Sequence, residues 1–521
     1  MAKSSENVLT RKVQLIPEIS DRKKYTKRLT KYINDSYSEK IDKKRNKKFN
    51  RKDYDSLEKF KEAKEKNESE IQNLQDALAN LAAGTITKKM VDDYTYGLVR
   101  EAMESESSRK NYILSHVYSQ MVTSDYAHMD KEEREQFFKD IWNPCFRKKG
   151  SNLGSIFDNT DIDNILGGYG TGFSQELKGK INNAIKSGLL EGKVSLPMYK
   201  KDSPFSIESQ YLKFYHAYES FEELENNIEK PNCQLFMGFG KNGNSTIANF
   251  KVNLGCGSGA KKRKDNSICQ TMLKVLAGEY KICGSSIQIS KGKIMLNLSI
   301  DIPIKEHKLD PNICLGVDVG YVIPAMCGLN KGKLTFRDAR FGDGTDLNGR
   351  RKRIREQKKR MQVGIATNKG GHGRAKKIKA LDRFREKERN FARTYNHKVS
   401  HDIVNLALKN NAMYINLENL KGITSDEKKK RELGDWSYFQ LQEFITYKAK
   451  QHGIIVRKVN PYRTSQTCSC CGHWEEGQRV DRDTFICKNP ECKWFGKKIH
   501  ADLNAAINIA KSTDFSVKKD A

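Results

Sequence analysis

Residues 467–492 read TCSCCGHWEEGQRVDRDTFICKNPEC, and this stretch constrains the fold more than any other. Cys468-x₂-Cys471 and Cys487-x₄-Cys492 make two tight knuckles separated by 15 residues, with Gly472 after the first pair and Pro490 inside the second. Paired thiolates at such spacing close around one tetrahedral ion, so the segment is expected to be a Cys₄ zinc ribbon holding one structural Zn²⁺. Cys470 is surplus, because it adjoins Cys471 and cannot share a normal knuckle with it. Five of the chain's 12 cysteines lie in this cluster, which points to a metal site in a reducing compartment and not to a disulfide framework. The other seven (Cys145, Cys233, Cys256, Cys269, Cys283, Cys314 and Cys327) are scattered singly and read as core fillers.

The ribbon interrupts a second pattern. NICLGVDVG (312–320) is an apolar strand carrying Asp318 near its end, and MYINLENL (413–420) is another, carrying Glu418. IHADLNAAINIA (499–510) places Asp502 in the first turn of an apolar helix, on the face of Ala506 and Ile509. A carboxylate among Ile, Leu and Val is costly to bury unless a cation pairs with it. Three of them, each at the edge of an apolar element, suit a phosphodiester site in which oxygen ligands hold two Mg²⁺ ions ~3.5–4 Å apart. Asp318, Glu418 and Asp502 are therefore the expected catalytic and Mg²⁺-binding residues. A closed ribbon has no vacant ligand position, so its expected role is to shape this neighbouring site. Arg479 and Arg482 lie between the knuckles, and two readings are open for them: a reach to phosphate at the carboxylates, or plain surface exposure.

Charge narrows the partner. Over 521 residues, 95 Lys and Arg against 65 Asp and Glu leave a net +30, and the chain is 37% hydrophobic. Its pI is near 9.5 and its mean hydropathy −0.75. Such a field calls for a polyanion. No apolar run reaches the ~18 residues of a membrane helix, MAKSSENVLTRKVQLIPE lacks the apolar core of a signal peptide, and no amphipathic anchor accompanies the basic charge. An intracellular nucleic-acid-binding protein is expected, without membrane attachment. Segment 350–398 holds 19 Lys and Arg against 4 Asp and Glu, a composition expected to track phosphates with steep salt dependence. Within it Arg351, Arg353, Lys359, Arg360, Arg374 and Lys377 are candidate backbone contacts, joined by Arg482 of the ribbon.

Along the chain, VLTRKVQLI (8–16) reads as a strand closed by Pro17. From about 20 to 190, apolar residues recur at helical spacing. Lys23–Lys52 is dominated by Lys and Arg with Tyr25, Tyr32 and Tyr37 interleaved, either a solvated helix face or a nucleic-acid surface. KVSLPMY, FSIESQYLKFY, CQLFMGF, STIANFKVNL, SSIQIS and KIMLNLSIDIPI, between 193 and 304, alternate apolar with polar and suggest a small antiparallel barrel or sandwich. GSGAKKRKDN (257–266) reads as a flexible basic insertion within it. From Asn312 onward, strands alternate with helices.

These residues resemble a known family. GVDVG (316–320), INLENL (415–420), TSQTCSCCG (464–472) and HADLNAAINI (500–509) resemble the split RuvC nuclease and zinc ribbon of type V CRISPR effectors and TnpB transposon nucleases. IMLNLSIDIPIKEHKLDPNICLGVDVG (294–320) and QHGIIVRKVNPYRTSQTCSCCGH (451–473) resemble the miniature type V-F effectors more specifically. The chain before residue 294 matches only in the order of its elements.

The resemblance implies a multidomain α+β fold. Its parts would be a first wedge strand (1–19), a helical recognition lobe (20–192), a β-barrel wedge domain (193–308), a ribonuclease-H-like RuvC α/β nuclease (309–466 and 499–521) and the inserted zinc ribbon (467–498), which binds target nucleic acid. It assigns metal-binding carboxylates to Asp318, Glu418 and Asp502 and zinc ligands to Cys468, Cys471, Cys487 and Cys492. It implies an RNA-guided DNA endonuclease with one Mg²⁺-dependent site, acting in the prokaryotic cytoplasm. The expected partners are guide RNA and target DNA, double- and single-stranded, licensed by a T-rich flanking motif. A guide–target duplex of ~20 base pairs is ~55 Å long, more than one compact lobe of ~170 residues spans, so two chains on one guide RNA are expected.

Two features depart from the family pattern. The second knuckle has four intervening residues where two are common, and no cysteine precedes Cys145 to build an N-terminal zinc finger. A TnpB-like nuclease and a nuclease-inactive RNA-guided binder are the alternatives. The longer helical region and the 294–320 match favour the type V-F reading over the first, and the three intact carboxylates argue against the second.

Overall fold

The computed structural model describes residues 7–146, 171–230, 233–255, 262–320, 322–367, 371–419 and 438–515. The chain divides into two compact units, Met1–Ile302 and Pro303–Ala521. No helix among the described residues is long and apolar enough to cross a membrane.

The first unit is built on strands β1 (Val8–Glu18), β2 (Phe205–Ile207), β3 (Leu212–His216), β4 (Leu235–Phe239), β5 (Ala248–Asn253), β6 (Lys281–Ile282), β7 (Ser285–Ser290) and β8 (Lys293–Asp301). They pair in the order β2-β7-β8-β1-β5-β4-β3, with β6 on β8. Pro17 does not close β1: it pairs with Phe250, beyond the last β8 partner of the strand, Leu15. Its missing N–H therefore falls where one flank of β1 is open, which is where a strand tolerates proline.

The expected barrel is corrected to a curled sheet whose ladder stays open among the described residues. Seven strands laid flat at ~4.8 Å spacing would put the edges ~29 Å apart. Yet Ile207 of β2 and Leu212 of β3 are joined by four residues, which span at most ~17 Å from end to end. The sheet must curl, and the seam is crossed by the one-turn helix Ser209–Tyr211 in place of a ladder. KVSLPMY is not a strand either. The Asn111 side chain takes up both the N–H and the carbonyl of Tyr199, and the Ser107 hydroxyl donates to the Lys200 carbonyl, so this segment's backbone is satisfied without a ladder.

Helices α1 (Lys23–Arg45), α2 (Leu57–Ala82), α3 (Lys88–Thr123), α4 (Lys131–Phe137), α5 (Thr171–Lys186), α6 (Phe221–Asn227) and α7 (Ser267–Leu276) complete this unit. Val99, Ala102 and Met103 of α3 and Cys269, Met272 and Leu273 of α7 share the core of the sheet. On α1, Tyr25, Leu29, Ile33, Tyr37 and Ile41 form one buried stripe. Tyr25 packs edge-on to Tyr94 and the Tyr37 hydroxyl donates to Asp93 at 2.8 Å, so both are core residues and not a nucleic-acid surface. The basic insertion at 257–266 lies largely outside the described residues.

The second unit carries β9 (Asp310–Asp318), β10 (Ala325–Leu329), β11 (Arg340–Phe341), β12 (Ala412–Glu418), β13 (Ile455–Val459), β14 (Thr484–Ile486) and β15 (Lys498–His500). Its helices are α8 (Phe336–Ala339), α9 (Gly344–Ala366), α10 (Gly371–Lys409), α11 (Tyr438–Lys450) and α12 (Ala501–Lys511). The sheet order is β11-β10-β9-β12-β13, with β12 parallel to both its neighbours and β10 antiparallel to β9. Strand alternation sorts its two faces. Leu315, Val317, Ile415 and Leu417 join the core made with α10 and α11. Gly316, Asp318, Asn416 and Glu418 take the opposite face, where α12 lies.

Candidate active site and metal centre

Glycine lets α12 lie directly on the sheet. A Cβ at Gly316 would stand 2.1 Å from the Ala506 carbonyl oxygen and 2.3 Å from the Ala510 nitrogen, and one at Gly328 would stand 2.6 Å from the Ile507 nitrogen. Asn416, wholly buried in mid-strand, donates to the Ile509 carbonyl at 2.8 Å and accepts from Arg457 at 3.0 Å. These contacts fix α12 over β9, β10 and β12, and hence the position of Asp502 in its first turn.

Asp318 and Glu418 end adjacent parallel strands in register, since Val317 pairs with Leu417. Ligands of open α/β sheets bind outside such carboxyl ends. All three carboxylates are half-buried. Burial pushes the Asp318 carboxyl well above its usual range, and the charges of Glu418 and Asp502 push it further, with Arg479 opposing. Burial also raises Glu418 against the pull of the Thr464 hydroxyl, which donates to its Oε1 at 2.6 Å. Asp502 is raised by burial too, against His500 and Arg479. The three residues named from sequence thus share one acidic patch, in which burial and like charge disfavour the ionised form of Asp318 unless a cation offsets them.

The four expected zinc ligands are together. Cys468 and Cys492 sulfurs are 3.9 Å apart, Cys471 and Cys487 sulfurs 3.8 Å, and all four lie within 4.8 Å of one another. Zn–S bonds of ~2.3 Å in a tetrahedron put sulfurs ~3.8 Å apart, so the quartet fits zinc. The longer second knuckle does not prevent this, and Cys470 stays out of the quartet. Gly472 supplies the turn of the first knuckle at φ +76°. No other group of three or more such ligands is this tight among the described residues, so the three carboxylates are spread more widely than the thiols. Among the single cysteines, Cys145, Cys233, Cys269, Cys314 and Cys327 are buried and Cys283 is half-buried, while Cys256 is outside the described residues.

The ribbon is tied to the carboxylate site through α12. Asn504 accepts from the Ser469 N–H and donates to the Thr467 carbonyl, both at 2.8 Å. Asn508 donates to the Thr464 and Thr467 carbonyls. Between the knuckles, Arg479 has the stronger hold on the carboxylates: its guanidinium is 3.9 Å from Asp502, while Arg482 is exposed, acts on Asp502 more weakly, and its carbonyl accepts from Arg479. Thr464, Asn416, Asn504 and Asn508 were missed by sequence reasoning. For three of them the signal was a polar residue inside an apolar segment, namely Asn416 within a strand and Asn504 and Asn508 one turn apart on a helix; Thr464, among polar neighbours, carried none.

The basic segment forms the packed pair α9 and α10. Arg353, Lys359, Arg360 and Lys377 are exposed, and Arg351 and Arg374 half-buried. Arg374 and Lys377 donate to the Ile365 and Gly364 carbonyls at the C-terminal end of α9, so these two also cap that helix.

Residues 438–509 match the family model described as Cas12f1-like, TNB domain. A CRISPR-associated endodeoxyribonuclease Cas12f1 of Sulfoacidibacillus thermotolerans is 30% identical over 63% of this chain and 72% of its own length. A second, from Syntrophomonas palmitatica, is 34% identical over 43% of this chain and half of its own length. A TnpB-like protein of Methanocaldococcus jannaschii is 38% identical but over only 18% of this chain. A Cas12f1 chain solved by cryo-EM with sgRNA and target DNA shares the fold, at a TM-score of 0.58 and 20% identity over 98% of this chain and 99% of that one. The likeness spans both units, not the ribbon alone, and the chain belongs to the Cas12f1 family of CRISPR-associated endodeoxyribonucleases, the miniature type V-F nucleases.

Proposed function

We propose that this chain is the RNA-guided DNA endonuclease of a type V-F system, cutting at one RuvC-like site built from Asp318, Glu418 and Asp502. The observation that carries the reading is the convergence of three half-buried carboxylates, from two adjacent strand ends and one helix start, with burial and then the charges of Glu418 and Asp502 raising Asp318. Two Mg²⁺ ions held there would supply Lewis-acid stabilisation and an activated water for phosphodiester hydrolysis. The chain's own residues do the placing. Thr464 orients Glu418, Gly316 and Asn416 seat the helix of Asp502, and Arg479 offsets part of the acidic charge beside the scissile phosphate.

The Cys₄ quartet holds one structural Zn²⁺ and keeps the loop of Arg479 in place. The exposed cations of α9 and α10 track the phosphates of guide RNA and target DNA, while base pairing supplies sequence and a T-rich flanking motif licenses the cut. The curled sheet is the wedge, the helices of the first unit the recognition lobe, and the five-stranded sheet with α10–α12 the ribonuclease-H-like nuclease. Relatives named endodeoxyribonucleases, and a solved relative holding sgRNA and target DNA, support the reading. The TnpB-like match is too short to favour that alternative.

The test is to express the chain with the DNA that flanks its gene, sequence the RNA that co-purifies, and challenge the complex with a matching duplex. Cutting that follows the guide sequence and needs Mg²⁺ is expected; a complex that binds the match without cutting it would leave only a binder. Two chains per guide RNA are expected by light scattering, and a cleavage-competent complex with one chain would remove the dimer.

A further inference from the structure

Two large aromatic side chains lie exposed where the chain enters the ribbon, on either side of the segment that carries Thr464, and no core accounts for them. Tyr462 is 68% exposed and Trp474 40%. Between them the Arg463 guanidinium lies 3.5 Å from the Trp474 ring centre and 4.9 Å from that of Tyr462. Arg463 has φ +56°, a left-handed conformation that favours glycine, and the N–H groups of Gln466 and Thr467 hold the turn by donating to its carbonyl. The next residue is Thr464, whose hydroxyl bonds Glu418. Tyr462 is therefore two residues, at most ~7 Å of chain, from a direct partner of a candidate catalytic carboxylate.

We propose that Tyr462 and Arg463, backed by Trp474, form a shelf that stacks an unpaired base of the DNA strand entering the carboxylate site. A flat aromatic with a guanidinium alongside offers what single-stranded nucleic acid needs: a π-face for any base and a cation for its phosphate. The positive charge on the shelf selects a polyanion over an apolar peptide. Stacking one base there, a nucleotide or so from the scissile phosphate, restrains the strand at the carboxylates without reading its sequence. The proposal rests on the reading of the chain as a DNA nuclease and adds to it a positioning surface.

The test uses the full chain in magnesium-free buffer, with a short oligodeoxythymidylate and an abasic oligonucleotide of the same length as probes. The base-bearing strand should quench tryptophan emission, and Trp474→Phe should remove that quench although three of the four tryptophans remain. Tyr462→Ala should weaken binding of the base-bearing strand about tenfold and leave the abasic strand unchanged, with Tyr462→Phe binding like the parent. In the guide-loaded enzyme, Tyr462→Ala should raise KM with kcat within about twofold. Equal binding of the two strands by the parent, or an unchanged preference in Tyr462→Ala, overturns the shelf. A chain that cuts no DNA yet prefers the base-bearing strand through Tyr462 would refute the nuclease reading while leaving the shelf standing.

Discussion

Gly316→Ala is the sharpest test of how the fold builds the site. The new methyl would sit 2.1 Å from the Ala506 carbonyl oxygen and 2.3 Å from the Ala510 nitrogen, where ordinary contact begins at 3.4 Å. Both are backbone atoms of α12, so no side-chain rotation relieves the clash; the helix must retreat by about 1 Å. Overpacking of this kind costs ~1–3 kcal/mol, and a ~1 Å displacement of a reacting group costs ~100-fold in rate. Gly316→Ala should therefore lower the melting temperature by several degrees and slow single-turnover cleavage by about two orders of magnitude, with zinc content unchanged. Gly328→Ala, whose methyl would meet the Ile507 nitrogen at 2.6 Å, should act in the same direction less strongly. Gly349→Ala on α9 is the control, since nothing lies within 4 Å of its added methyl. A Gly316→Ala protein that melts and cuts like the parent would refute the close seating of α12 as the device that places Asp502.

Cys487→Ser should lose one zinc per chain and destabilise the ribbon, because structural zinc contributes folding energy directly, whereas Cys470→Ser should keep its metal. Metal analysis showing the reverse would reassign the quartet. Replacing Arg353 and Arg360 with alanine should weaken guide binding and flatten its salt dependence by about 0.7–0.9 in log–log slope for each phosphate no longer neutralised. An unchanged slope would take those two arginines off the nucleic acid.

The location of the candidate site was legible because each candidate ligand sits inside its own short motif: Asp318, Glu418, Asp502 and the four cysteines are each marked by immediate neighbours. Asn416, Thr464 and Asn508 work through partners 44–93 residues away, and no local pattern records those distances. Sheet closure failed for a similar reason, since alternation shows which residues face inward but not which edges pair. The tyrosines of α1 illustrate the opposite error: set among lysines they resemble a binding surface, yet 3.6-residue geometry turns Tyr25 and Tyr37 to the core. For Arg374 and Lys377, composition revealed the charge, and only the packing of α10 against α9 revealed the α9 carbonyls they serve.

The central claim is that three carboxylates act as one metal-dependent nuclease site, and single-turnover cutting of a guide-matched duplex by Asp318→Asn, Glu418→Gln and Asp502→Asn tests it most directly. The site as built predicts that each near-isosteric change abolishes cutting in Mg²⁺ while guide and target binding persist, because removing one ligand charge leaves the ions underheld. Any one of the three cutting at close to the parental rate would contradict it.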